Sequence, residues 1–252
     1  MKPISTVRDW AALPRDVLFV VFLKLGPTEI MLGAEHACTA WRRVALEEPS
    51  LWRCIGWRTI DEIMQRCHIS VAAEMALARL SLARAQGQCE AFEGYLNYEF
   101  MPYLVERAPS LKTLDINEFR GYDEGTRELI AACPNLKKLV LMYASRCDLE
   151  CNEDEFNKEP IDGEIPVMHE LRTLELYECD LTARGLNSIL DSCPLLESLY
   201  ITGYFNKKDI NKELRVKCAR VKNLALPTRS KPSDECYYDY VGYSESEDDY
   251  EE

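Results

Sequence analysis

Eleven cysteines and three histidines, His36, His68 and His169, are the residues of this 252-residue chain best suited to nucleophilic or metal chemistry. Their spacing organises neither. Cys147 and Cys151 form the closest cysteine pair, and no second pair or neighbouring histidine completes a zinc quartet, so no metal and no cofactor are expected. A thiol enzyme would have to draw on a pair such as Cys89 and His169, which no catalytic spacing singles out. Neither a phosphate loop nor a nucleophile elbow is present, and no catalytic residue is predicted. The remaining chemistry is recognition: apolar surface in the first fifty residues and alternating charge further on.

The apolar surface lies in residues 12–52. Leu18, Val21, Phe22 and Leu25 recur at the spacing of one helical face, which predicts a helix over Arg15–Leu25. Val17, Phe19 and Val20 make it apolar nearly all round, so it needs cover on more than one side. Leu13-Pro14 leads in and Gly26-Pro27 stops it. Thr28 is placed to cap a second helix through Ile30 and Leu32, with Glu29 at its positive end. A third, over about 37–48, carries Trp41, Val44 and Leu46, ends at Pro49 and is followed by Leu51-Trp52. Three helices in about forty residues bury too little surface to stand alone. Trp41 reads as core, whereas Leu13, Pro14, Leu18 and Phe22 read as surplus left for a partner.

The set Leu13-Pro14-x-Asp16-x-Leu18, Val21-Phe22-x-x-Leu25, Cys38-x-x-Trp41-Arg42 and Leu51-Trp52 resembles an F-box. The resemblance implies docking on the Skp-type adaptor of a cullin–RING ubiquitin ligase. It puts Leu13, Pro14, Val17, Leu18, Val21, Phe22, Leu25, Ile30, Trp41, Leu51 and Trp52 on adaptor-facing or supporting positions. Ala37 stands where a larger aliphatic is common and Val21 replaces the common Ile, without a change of polarity.

A repeat follows. Leu111-x-x-Leu114-x-Ile116 recurs as Leu136-x-x-Leu139-x-Leu141, Leu171-x-x-Leu174-x-Leu176, Leu196-x-x-Leu199-x-Ile201 and Val221-x-x-Leu224-x-Leu226, at intervals of 25, 35, 25 and 25 residues. That is the leucine-rich repeat pattern, a short strand feeding a shared core and a returning helix. Return helices are predicted over Tyr98–Arg107, Asp123–Ala132, Thr182–Ser192 and Asp209–Lys217. Cys133, Cys193 and Cys218 each precede a strand by three residues and read as small buried spacers; Cys179 falls on the repeat's usual Asn/Cys position. Ala-rich Glu74–Ala85 favours helix, and Cys89–Gly94, 22 residues before Leu111, completes six strands. With Gln88–Phe92 following that helix and Gly87, residues 10–226 resemble plant F-box proteins with leucine-rich repeats.

The expected fold class is α/β repeat: a small trihelical F-box over 8–54, a helical linker over 55–86, and a short curved solenoid of about six strand–helix units over 87–229. An acidic surface insertion occupies 148–165, and an acidic tail expected to be disordered occupies 230–252. Residues 233–252 hold nine acids and no Lys or Arg, and 148–164 hold eight acids and one Lys, so the net charge of −13 resides in these two segments and the rest is slightly basic. Such acidity excludes nucleic acid as a partner. The concave strand residues Lys112, Asp115, Lys137, Lys138, Arg172, Glu175, Glu197 and Tyr200 are the expected contacts to an unknown protein target. The tail, with Ser244 and Ser246 as phosphate acceptors, is a candidate to fold back on the basic middle of that face.

No apolar run approaches the roughly 18 residues of a membrane span. The first residues lack a signal-peptide core. A reducing location, nucleus and/or cytoplasm, is therefore expected, with free thiols. The resulting expectation is a non-catalytic substrate receptor of a Skp–cullin–F-box ligase that marks its target for proteasomal degradation; the alternative is a repeat scaffold without ligase function.

Overall fold

Proline and glycine punctuate the first helices. In a computed structural model, which describes residues 9–56, 70–119, 124–143, 161–162 and 165–227, helix α1 (Arg15–Leu25) begins after Pro14 and stops at Gly26, whose φ of 86° favours glycine. Helix α2 (Pro27–Leu32) starts on Pro27, so Gly26 and not Thr28 occupies the cap position. The expected capping by Thr28 is thus corrected: its hydroxyl is buried inside the first turn, and no partner for it is found among the described residues. Helix α3 (Thr39–Glu47) crosses α1, with the Trp41 ring edge-on to Phe22 at 5.7 Å. A 3-10 turn over Pro49–Trp52 then buries Leu51 and Trp52, and the Trp52 indole donates to the Ala45 carbonyl at 3.1 Å.

Helix α4 (Val71–Ala85) is capped by Ser70 and closed by the left-handed pair Gln86 and Gly87. It lies against the Pro49–Trp52 turn, against α2 and against the first two strands. The segment expected as a linker therefore carries a packing element.

The described residues form a seven-stranded parallel sheet in sequence order: β1 (Cys54–Ile55), β2 (Ala91–Tyr95), β3 (Thr113–Phe119), β4 (Lys138–Tyr143), β5 (Thr173–Leu181), β6 (Ser198–Phe205) and β7 (Asn223–Ala225). Six are the expected repeat strands. The seventh, β1, follows directly on the helical module and pairs with β2, so the sheet continues into residues 54–55. Helices α5 (Met101–Arg107), α6 (Glu124–Ala131), α7 (Ala183–Ser192) and α8 (Lys212–Cys218) return the chain after β2, β3, β5 and β6. Leu114, Leu139, Leu174 and Leu199 stand in one register and are all buried; so are Ile116, Leu141, Leu176 and Ile201 two residues on. Strands β4 and β5 pair directly although 29 residues separate Tyr143 from Thr173, so the interval's excess leaves the ladder intact.

Cys133, Cys179 and Cys193 are buried and Cys218 half-buried, as small core residues. Past the register shift after Leu176, Cys179 of β5 pairs with Gly203 of β6, where φ is 114° and a methyl group would collide with the Cys179 carbonyl. One buried cluster runs from Leu18 to Val221.

Candidate functional site

Two surfaces gather the residues singled out by sequence. The first is the outer side of α1. Val17, Val20 and Leu23 are 44, 51 and 55% exposed, while Leu18 and Phe22 on the inner side are buried. Pro14 is exposed at the helix entry, and Leu13, Val21, Leu25 and Trp41 are half-buried around the same helix. Arg15 ties the helix start to the end of α3 through Glu47 at 2.7 Å and Glu48 at 2.8 Å. Beside it, Trp10, Ala11, Ala37, Cys38 and Trp41 line an open, mostly apolar pocket of about 540 Å3, with the Trp41 indole donating to the Trp10 carbonyl at 3.0 Å.

The eleven adaptor candidates divide by burial. Leu13, Pro14, Val17, Val21, Leu25 and Trp41 are accessible; Leu18, Phe22, Ile30, Leu51 and Trp52 are interior and can only support the face from beneath. The expectation that Leu18 and Phe22 remain uncovered is corrected. It treated the module as standing alone, whereas α3 and the Pro49–Trp52 turn pack on α1, α4 packs on that turn, and the whole joins the repeat core. Val20, Leu23 and Trp10, exposed on or beside this face, were not among the candidates. The signal was available, because an 11-residue helix whose apolar residues run all round leaves some of them outside.

The second surface is the sheet face opposite the helices. Here Asp115, Glu175 and Tyr200 share one register row, and Lys138 lies two residues earlier, in the row of Thr173. Lys112, Lys137, Arg172 and Glu197 form a rim just before the strands, linked by backbone hydrogen bonds of 2.7–2.9 Å. The expected basic middle is largely neutralised: Lys138 pairs with Glu175 at 2.7 Å, Arg172 with Glu197 at 2.5 Å, and Lys112 with Glu90 at 3.1 Å. Glu90 also holds Arg53 at 2.6 Å, and Glu197 also holds Lys222 at 2.9 Å. These bonds keep both carboxyls below the usual carboxylate range, Arg53 acting most strongly on Glu90 and Lys222 on Glu197. Asp115 is buried rather than exposed.

Three side chains that sequence reading missed complete this face. Tyr177 donates to Glu175 at 2.8 Å, and its ring lies tilted against that of Tyr200, with centroids 5.4 Å apart. The Glu175 bond, with burial, pushes the Tyr177 phenol up to about 12. Met142 pairs in register with Tyr177 and is 43% exposed. Glu90 belongs to the rim. Met142 and Tyr177 follow from extending the alternation one step beyond each leucine triplet, and Glu90 from carrying the rim position back one repeat.

The core thiols are poor nucleophiles. Burial pushes Cys89 and Cys193 up to about 12 and Cys133 up to about 11. Cys89 is fully buried, which speaks against its use with His169. Cys147, Cys151, the acidic insertion apart from 161–162 and 165, and the tail lie outside the described residues.

Comparison with known proteins bears on the segment that carries the first of these surfaces. The sequence profile of the F-box-like family matches residues 10–56, the segment that carries the α1 face. A putative F-box/LRR-repeat protein 23 of Arabidopsis thaliana is 30% identical over 89% of this chain. A putative F-box/LRR-repeat protein 22 of the same plant is 28% identical over 98% of it. Together these matches support a plant F-box/LRR-repeat protein. The F-box protein SKIP19 of that plant is also similar, 27% identical over 96% of this chain. The chain spans about half the first relative's length, 54%, and 84% and 83% of the other two.

Proposed function

We propose that this F-box/LRR-repeat protein is a substrate receptor of a Skp–cullin–F-box ubiquitin ligase. The F-box docks on the Skp-type adaptor, and through it on the cullin–RING assembly, while the repeat sheet holds a protein target for ubiquitination and proteasomal degradation. The observation that carries the reading is the outward apolar row Val17, Val20 and Leu23 on a helix within the F-box-like segment. An exposed apolar row on a helix already packed on its other side fits a partner. The receptor makes no bond itself. It raises the target's effective concentration at an enzyme supplied in trans, so it needs no nucleophile or cofactor. Its expected place is the nucleus and/or cytoplasm.

Co-purification with a Skp-type adaptor tests the reading. The wild-type chain should retain the adaptor, and Val17→Asp with Val20→Asp should lose it without unfolding, since both positions are exposed. Equal retention would refute docking through this face. Retention of the adaptor without ubiquitination of any bound protein in the reconstituted ligase would favour the scaffold reading.

A further inference from the structure

We propose that the open sheet face reads a target segment carrying an acidic residue and, three to five residues away, a large apolar side chain. The proposal rests on the receptor reading and names the chemistry of what that surface takes.

The first observation is the order of charge along the rim. Glu90, Lys112, Lys137, Arg172, Glu197 and Lys222 occupy equivalent positions on successive repeats. Each carboxylate is shared by two flanking cations. A rim built only for stability would place an acid at the middle position as well. Instead Lys137 stands exposed between two other cations, with no carboxylate within 4 Å among the described residues. Like charges on adjacent strands are unfavourable. An anion from outside would relieve that repulsion. The carboxylates of Asp115 and Glu175 lie three residues deeper, and Glu175 already holds Lys138, so the anion is confined to the rim.

The second observation is an apolar patch on the same repeats. Met142 and Tyr200 are 43 and 41% exposed, and the Tyr177 ring lies between them. Tyr200 is three residues further along its strand than the rim, and Met142 and Tyr177 are five. At about 3.3 Å per residue, the patch lies about 10–17 Å from the cations. An extended segment spans that distance in three to five residues. Tyrosine is among the side chains enriched in binding hot spots, and here two tyrosine rings lie against each other.

Panning the full chain against a random 12-residue peptide library tests this. Selected peptides should carry Asp or Glu three to five positions from Leu, Phe, Met or Tyr. They should lose at least tenfold in affinity to Lys137→Glu and to Tyr200→Ala, both exposed, with melting unchanged. Selection of basic or charge-free peptides, or equal binding by Lys137→Glu, overturns the proposal. Recovery of no peptide, as an acidic segment of the chain itself seated on the rim would cause, also overturns it. Adaptor binding measured on the same preparation is independent, so its failure would strike the receptor reading and leave peptide recognition standing.

Discussion

Glu35 and Arg84 form a two-pronged ion pair, at 2.6 and 3.2 Å, where the F-box meets the first helix of the repeat region. Both side chains are largely withdrawn from water, at 7 and 15% exposure, and the Arg84 guanidinium lies 4.9 Å over the buried Trp52 ring. One partner comes from the 3-10 turn Ala34–His36 and the other from α4. The pair therefore ties the F-box-like segment to the helix that precedes β2.

Removing one partner strands the other as a buried charge. Arg84→Met should cost about 3–5 kcal/mol in urea unfolding. Adding Glu35→Leu should recover much of that loss, because no charge then remains unpaired. A double variant as unstable as the sum of the two single variants would mean that the pair does not act as a unit.

The thiols should divide by burial. Treated with iodoacetamide at pH 8 under native conditions, exposed Cys54 should alkylate, whereas Cys89, Cys179 and Cys193 should react only after unfolding. Peptide mass spectrometry reads this directly. Rapid native labelling of Cys89 would contradict its place in the core.

The rim ladder should be acid-sensitive in one direction. The Glu197 carboxyl is held below its ordinary value by Lys222 and Arg172. Its contribution is thus present above the ordinary carboxylate pKa of about 4.3 and lost as pH falls through the lower folded value. The difference in melting temperature between wild type and Glu197→Gln should be constant from pH 8 to 6 and vanish on acidification below about pH 4. A difference that grows at low pH would contradict the pairing.

The repeat was legible in sequence because its signal is covalent spacing. Leu174 and Leu176 alternate with Thr173 and Glu175, and a parallel strand requires that alternation to feed one core. The outer face was legible only as composition. Lys138 and Arg172 read as a basic surface, but their carboxylate partners lie 37 and 25 residues away in the chain, at distances set by the repeat fold. The same limit applies to Leu18 and Phe22: their cover comes from Trp41, Leu51 and neighbouring elements that local periodicity does not register. β1 was missed for a similar reason, since its two residues are a strand only because β2 lies beside them.

The central claim is that α1 presents a docking face for a Skp-type adaptor, and a titration calorimetry experiment tests it most directly. Purified adaptor added to the full chain should bind at one site, and Val17→Asp with Val20→Asp should weaken that binding at least a hundredfold while leaving the melting temperature within a few degrees of wild type. Undiminished binding by that variant, or no binding by the wild type, would contradict the account.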